Sequence, residues 1–196
     1  MSTVYNLREN VIPDKNDRYF LDTNVWFWFT YCATKQFTTN EPHHYQLKFY
    51  PEFIEKILDV GAKIVTSPLV YTELANLIER TEYEEYLFKK NLNKESFSRK
   101  QFRAISSARN EVLLHIKTAW ETICQLAQEC LELNLNLKTT QAAHDFMSGT
   151  MLDPYDAIFV HILNSHDIKM LISDDGDMVN SGIEQIFTAN RKYLQT

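Results

Sequence analysis

Tyr19-Phe20-Leu21-Asp22-Thr23-Asn24 is a short apolar run that stops on a carboxylate, and the aromatic-rich stretch from Val25 to Tyr31 follows at once. A run of this length bounded by polar residues reads as a strand buried on both faces of a parallel sheet, with a helix behind it. Lys63-Ile64-Val65-Thr66, Met170-Leu171-Ile172-Ser173 and the stretch from Ile183 to Thr188 repeat the strand pattern. Between the first two, Phe53, Ile54, Ile57 and Leu58 recur at helical spacing, with Pro51 in the expected first turn and Gly61 placed to stop the helix. Ser67 and Pro68 then supply an N-cap and a first-turn proline for the next helix. Strand alternating with helix predicts an α/β chain with three layers, α/β/α, around a mostly parallel central sheet. Ligands in such folds sit beyond the carboxyl ends of the strands.

Residues 1–18 are polar and without clear period, which predicts a loosely held N-terminal arm. Residues 19–196 form one domain on this reading, with a helical insertion at about 81–134. From about Ser98 to Leu133 apolar residues step by three or four, predicting a long amphipathic helix or a kinked pair. Leu135-Asn136-Leu137 reads as a short strand, and Thr139 or Thr140 as the cap of a helix through Met147. Asp153-Pro154 opens a further helix to about Ser165.

With 44% hydrophobic residues, the 196-residue chain can bury a sizeable core. The longest apolar stretch near the N-terminus is far too short for a membrane span, so a soluble cytoplasmic protein is expected. Cys32, Cys124 and Cys130 are odd in number and lack Cys-x-x-Cys spacing, which argues against a disulfide framework or zinc ribbon and for small apolar side chains. His43-His44 has no third ligand at metal spacing and reads as a loop pair. With four glycines in all, no phosphate-binding glycine loop, dinucleotide fingerprint or nucleophile elbow is present.

Acids punctuate the chain at Asp22, Glu73, Asp153, Asp156 and the Asp174-Asp175-Gly176-Asp177 cluster. Carboxylates gathered without compensation repel, at roughly 4 kcal/mol per pair about 4 Å apart in an effective dielectric near 20. A divalent cation removes that cost. Each acid also has a plain structural reading. Asp153 suits a helix N-cap, Asp22 a turn or cap, and Glu73 an ion pair with Arg80 one face along its helix.

The order of these pieces resembles the PIN-domain family of metal-dependent ribonucleases, whose most populated branch is the toxins of toxin–antitoxin pairs. Leu21-Asp22-Thr23-Asn24 is similar to the family's opening strand end. Glu73 falls in the helix after the second strand, Asp156-Ala157-Ile158 opens an apolar helix, and Ser173-Asp174-Asp175 follows a late strand. Met178 departs from the aromatic residue usual near that last motif, and the stretch between Glu73 and Asp156 is longer than in compact toxins.

The resemblance implies endonucleolytic cleavage of single-stranded or looped RNA, with Mg²⁺ or Mn²⁺ held by Asp22, Glu73, Asp156 and Asp175. Asp177 is then an optional outer ligand, while Asn24, Asn76 and Ser173 orient carboxylates or waters from behind. It further implies an inhibitory antitoxin-like partner and a homodimer as candidate associations.

RNA needs cations despite the formal charge of −6, and Lys89, Lys90, Lys94, Arg99, Lys100, Arg103 and Arg109 cluster against the single acid Glu95. Phe88, Phe97 and Phe102 interleave with them as stacking surfaces, unless they pack inward under an ordinary solvated face. The main alternative to catalysis is a silent PIN-like module that binds RNA or protein. A haloacid-dehalogenase-like phosphatase is disfavoured because Asp22-Thr23-Asn24 lacks a second Asp two residues on.

Overall fold

The computed structural model describes residues 2–194. Its strands are β1 (Thr3–Asn6), β2 (Arg18–Leu21), β3 (Lys63–Thr66), β4 (Glu129–Cys130), β5 (Met170–Ile172) and β6 (Gln185–Thr188). Its α-helices are α1 (Thr23–Thr30), α2 (His44–Val60), α3 (Pro68–Lys90), α4 (Arg99–Arg103), α5 (Ser106–Leu126), α6 (Leu137–Gly149) and α7 (Pro154–Ser165). Among the described residues the strands form one sheet in the order β1-β6-β5-β2-β3-β4, parallel at every pairing. The expected three-layer α/β/α architecture is present.

Central β2 lies between β3 and β5, so the chain leaves it towards one edge and returns on its other side. That reversal opens a crevice at the carboxyl ends of β2 and β5. The register puts Leu21 beside Ile172, and the Asp22 amide donates to the Ile172 carbonyl at 3.0 Å. Both strand ends are thereby locked where the acids emerge.

Phe20, Leu21, Ile64, Val65, Leu171 and Ile172 are buried, as an apolar run covered on both faces requires. Phe187 on β6 stacks on Tyr5 and Phe53 and meets Tyr19 edge-on. Trp26, Phe27 and Trp28 of α1 are buried in the chain's own core. Cys32 is buried too, whereas Cys124 and Cys130 are exposed free thiols rather than core side chains. No helix among the described residues is long and apolar enough to cross a membrane.

Several local expectations are corrected. The stretch expected as a loose arm contains β1, which pairs with β6 from Thr3 to Asn6, and Leu7 behind it is buried. Pro51 lies inside α2, because the helix begins at His44, where the Gln46 side chain reaches back to the His43 amide at 2.9 Å. Gly61 does end that helix in the left-handed region at φ 73°. Of the long helix or kinked pair expected, the structure has a pair, α4 and α5, and the nominal insertion returns to the sheet at β4. Leu135-Asn136-Leu137 is no strand: Asn136 accepts from the Lys138 and Thr139 amides and caps α6 in place of the threonines.

α3 runs 23 residues and carries buried acids at Glu79, Glu82 and Glu85. Buried charge needs partners, and each acid has its own. Arg99, Arg103 and Arg109 converge on Glu79. Tyr31, Lys35 and His115 meet Glu82, and Thr38 and Thr39 bond Glu85 through amides and hydroxyls. These bonds fasten the α1–α2 loop and α4–α5 to α3.

Docking of β1 is testable through its buried end. Leu7→Ala should cost about 2–4 kcal/mol of unfolding free energy by urea denaturation, the range for truncating a buried leucine. A change near zero would mean that the N-terminal segment is held as loosely as its sequence suggests.

Candidate active site

A cleft of about 360 Å³ opens at the carboxyl ends of β2 and β5. Its floor carries Asp22, Thr23 and Asn24 from the β2–α1 junction, and Asp175 from beyond β5. One wall is α3, through Thr72, Glu73, Asn76, Leu77 and Arg80; the other is the start of α7, through Asp153, Tyr155 and Asp156. The four acids singled out in the sequence therefore line one cavity.

Asp22 is only 7% exposed, and its Oδ2 accepts the Ser173 hydroxyl at 2.8 Å. The same Ser173 oxygen accepts the Asp175 amide at 3.0 Å, so one buried hydroxyl positions two acids. Glu73 Oε2 accepts the Thr23 hydroxyl at 2.6 Å. The alternative Glu73–Arg80 ion pair does not form, since Arg80 is in no ion pair among the described residues. Asp153 is the N-cap expected of it, accepting the Tyr155 and Asp156 amides at 2.8 and 2.9 Å while also facing the cleft.

The other two members of the late acid cluster face elsewhere. Asp174 accepts from the Tyr45 hydroxyl at 2.9 Å, Gln46 at 3.0 Å and the Tyr50 hydroxyl at 2.5 Å, which makes it a structural acid clamped to α2. Asp177, expected as an outer ligand, does not line the cleft; it borders a separate depression with Met151 and Asn180. Its amide donates to Asp175 at 2.9 Å, so its backbone steadies the acid that does point inward. Thr23, which bonds Glu73, belongs to the Asp22-Thr23-Asn24 motif, whose spacing alone does not reveal that role.

Burial and mutual repulsion raise the carboxyl pKa values. Burial lifts Asp22 to about 6 despite the Ser173 bond, with Asp175 adding repulsion. Glu73 rises to about 7 by burial and the charges of Asp22 and Asp153, although the Thr23 bond opposes the rise. Asp156 rises furthest, to about 8, through burial first and then Asp153, Asp22, Asp175 and Glu73. No Lys, Arg or His pairs with Asp22, Glu73, Asp156 or Asp175 among the described residues. Four acids that no protein cation pairs with, offering only oxygen donors, fit a hard divalent cation.

A family model described as PIN domain matches residues 19–182. The chain belongs to the PIN-domain family. PIN domains are generally nucleases and typically use divalent metal ions. A comparison with curated proteins finds no match.

In this PIN domain, Glu82, Glu111 and His115 bring ligand atoms within 4.8 Å of one another outside the acid cleft. That trio is a poor cation site, because the Lys35 ammonium already sits on Glu82 and the Tyr31 hydroxyl donates to it at 2.7 Å. The oxygen-only cleft is the better home for an ion.

The basic segment is largely occupied in holding the PIN domain together. Arg99, Arg103 and Arg109 bind Glu79, Lys94 pairs with Glu84 at 2.7 Å, and Lys89 lies 3.6 Å from Glu85. Lys90 and Lys100 stand exposed without ion pairs among the described residues. Phe102 is buried and Phe97 stacks on Tyr86, so the inward-packing alternative holds for both; Phe88 alone of the three is exposed. Arg99 also donates to Asn76 at 2.7 Å, which joins this arginine cluster to the cleft wall.

The raised pKa values carry a sign for stability. A carboxyl that ionises less readily when folded subtracts stability as pH rises from its unfolded value towards its folded one. The ion-free protein should therefore weaken between about pH 4 and about pH 8, the window set by Asp22, Glu73 and Asp156. In chelator at pH 8.5, Asp156→Asn should be more stable than the parent by about 2 kcal/mol, after allowing for solvent screening of a partly exposed group. The gap should shrink towards pH 4. A gap that stays constant with pH in urea titrations would remove like-charge repulsion as its cause.

Proposed function

We propose that this cleft is the catalytic centre of a metal-dependent endoribonuclease, in which Asp22, Glu73, Asp156 and Asp175 hold Mg²⁺ or Mn²⁺ against the scissile phosphodiester. One observation carries the reading: Asp22, Glu73, Asp156 and Asp175, from separate elements, line one cavity, and none of them is ion-paired with a protein cation among the described residues. A structural acid cluster would be expected to recruit a lysine or arginine, as Glu79 and Glu82 do. A bound divalent ion would supply charge neutralisation at the phosphate oxygens and ease attack by water.

The protein's own groups then position the reactants. Ser173 orients Asp22, Thr23 orients Glu73, and the Asp153 cap sets the first turn of α7 from which Asp156 projects. Asn24 and Asn76 border the same space and offer amide groups to waters or substrate oxygens. A silent binding module would need no such shared orientation of acids. In a toxin setting, an inhibitory partner would cover this cleft and present a cation to its acids.

The test is incubation of purified protein with structured and unstructured RNA in Mn²⁺, Mg²⁺ or chelator, beside three variants. Asp22→Asn and Asp156→Asn should each lose about 100-fold or more of the metal-dependent rate. Asp177→Asn should stay within about threefold of the parent, since its side chain lies outside the cleft. Equal cleavage by all proteins would expose a contaminating nuclease and end the proposal. RNA binding without cleavage would favour the silent module.

A further inference from the structure

Arg80 is the exception among the cations of this region. It lies on the face of α3 that carries Glu73, Asn76 and Leu77 into the cleft, seven residues beyond Glu73 and so about 10 Å along the helix. It is exposed, shares the cleft lining with five carboxylates, and pairs with none of them. Its neighbours behave differently: Arg99, Arg103 and Arg109 are all drawn to Glu79. A guanidinium left without a carboxylate beside an acidic cleft is free for another anion, and its planar fork matches a phosphate bidentately.

The opposite wall offers the complementary surface. Tyr155 is 49% exposed at the cleft, and among the described residues its ring packs on no other aromatic side chain and its hydroxyl has no bonded partner. Its amide is fixed by the Asp153 cap, so the ring is carried on an ordered turn directly before Asp156. An exposed aromatic face of this kind is a stacking platform for an unpaired base, and a base inside a duplex cannot reach it.

We propose that Arg80 and Tyr155 form a two-walled clamp for single-stranded RNA, resting on the nuclease reading of the acids between them. Arg80 takes a backbone phosphate next to the scissile one, and Tyr155 stacks the base on the other side of the scissile bond. The strand thus crosses the acids from α3 to α7. The clamp selects unpaired RNA without reading its sequence.

The experiment has a kinetic arm and a binding arm. Steady-state cleavage of a short fluorescent single-stranded RNA in Mn²⁺ is compared with the same strand annealed into a duplex, for the parent, Arg80→Ala, Arg80→Lys, Tyr155→Ala and Tyr155→Phe. Binding is followed by fluorescence anisotropy across a salt series, with each substitution placed in an Asp156→Asn background. Arg80→Ala should raise KM about tenfold with kcat within about twofold, and reduce the salt slope of binding by about 0.7, one single-strand phosphate contact. Arg80→Lys should restore the slope but only part of the affinity.

Tyr155→Ala should raise KM for the single strand about tenfold and leave the duplex unchanged, while Tyr155→Phe behaves as the parent. Arg80→Ala and Tyr155→Ala that retain the parent's KM, affinity and salt slope overturn the clamp even where the parent cleaves RNA. Should the parent cleave nothing, the nuclease reading fails, yet loss of binding in both variants still supports the clamp. A Tyr155→Phe variant as weak as Tyr155→Ala overturns stacking. Unchanged thermal unfolding in every variant confirms that the readout is substrate binding.

Discussion

The Asp22 carboxylate accepts the Ser173 hydroxyl, and the same oxygen of Ser173 accepts the Asp175 amide. This small relay ties the end of β2 to the end of β5 at the centre of the sheet, where the backbone register has already aligned Leu21 with Ile172. The hydroxyl can donate once and accept as well, so it serves a carboxylate and an amide together. Both acids are held at fixed angles into the cleft while Asp22 is almost wholly removed from water. Such burial favours the neutral acid at Asp22, and Glu73 and Asp156 are pushed the same way by burial and by neighbouring carboxylates. The preorganised geometry is therefore costly when ionised and empty, and a divalent cation is the species that reverses the balance.

A different solution to buried charge operates along the outer length of α3. Glu79, Glu82 and Glu85 are each neutralised or saturated by local partners from loops and helices that are distant in sequence. Removing one partner of such a group leaves a charge in low dielectric, so these contacts define the docking of α4, α5 and the segment around Lys35 to Thr39. The contrast with the cleft is informative. On one helix, Glu79 and Glu82 are matched with cations and Glu85 with amides and hydroxyls, and Glu73, facing the sheet crevice, is matched only with one hydroxyl.

The acid set and the strands that carry it were legible in the sequence because short apolar runs ending on polar residues are local signals. Asp22 and Asp175 follow such runs closely, whereas Glu73 and Asp156 lie inside α3 and α7 and stood out through the family resemblance. The division of labour within Asp174-Asp175-Gly176-Asp177 was not legible, since it depends on Tyr45, Gln46 and Tyr50 reaching across from α2 to take Asp174. β1 was hidden because an edge strand of half-exposed residues has no apolar run, and β4 because it is two residues long. The ion pairing of the arginines between 99 and 109 was hidden as well, because their partner Glu79 lies far back along the chain. Pairings between distant segments are set by the fold, and residue spacing does not encode them.

Charge placement also limits how RNA can be attracted. The chain has a formal charge of −6, and many of its cations are closely paired: Arg18 with Glu129, Lys35 with Glu82, Lys94 with Glu84, Lys169 with Glu184. Paired charges cancel beyond a Debye length of about 8 Å at physiological ionic strength, so the surface exerts little long-range pull on a polyanion. Attraction must then be short-ranged and concentrated where the acids are. A bound divalent ion changes the sign of the cleft floor, Arg80 adds a cation on one wall, and Tyr155 adds an uncharged stacking face on the other. Recognition built this way depends on whether a strand can enter and splay its bases across the cleft, and depends little on the strand's total charge.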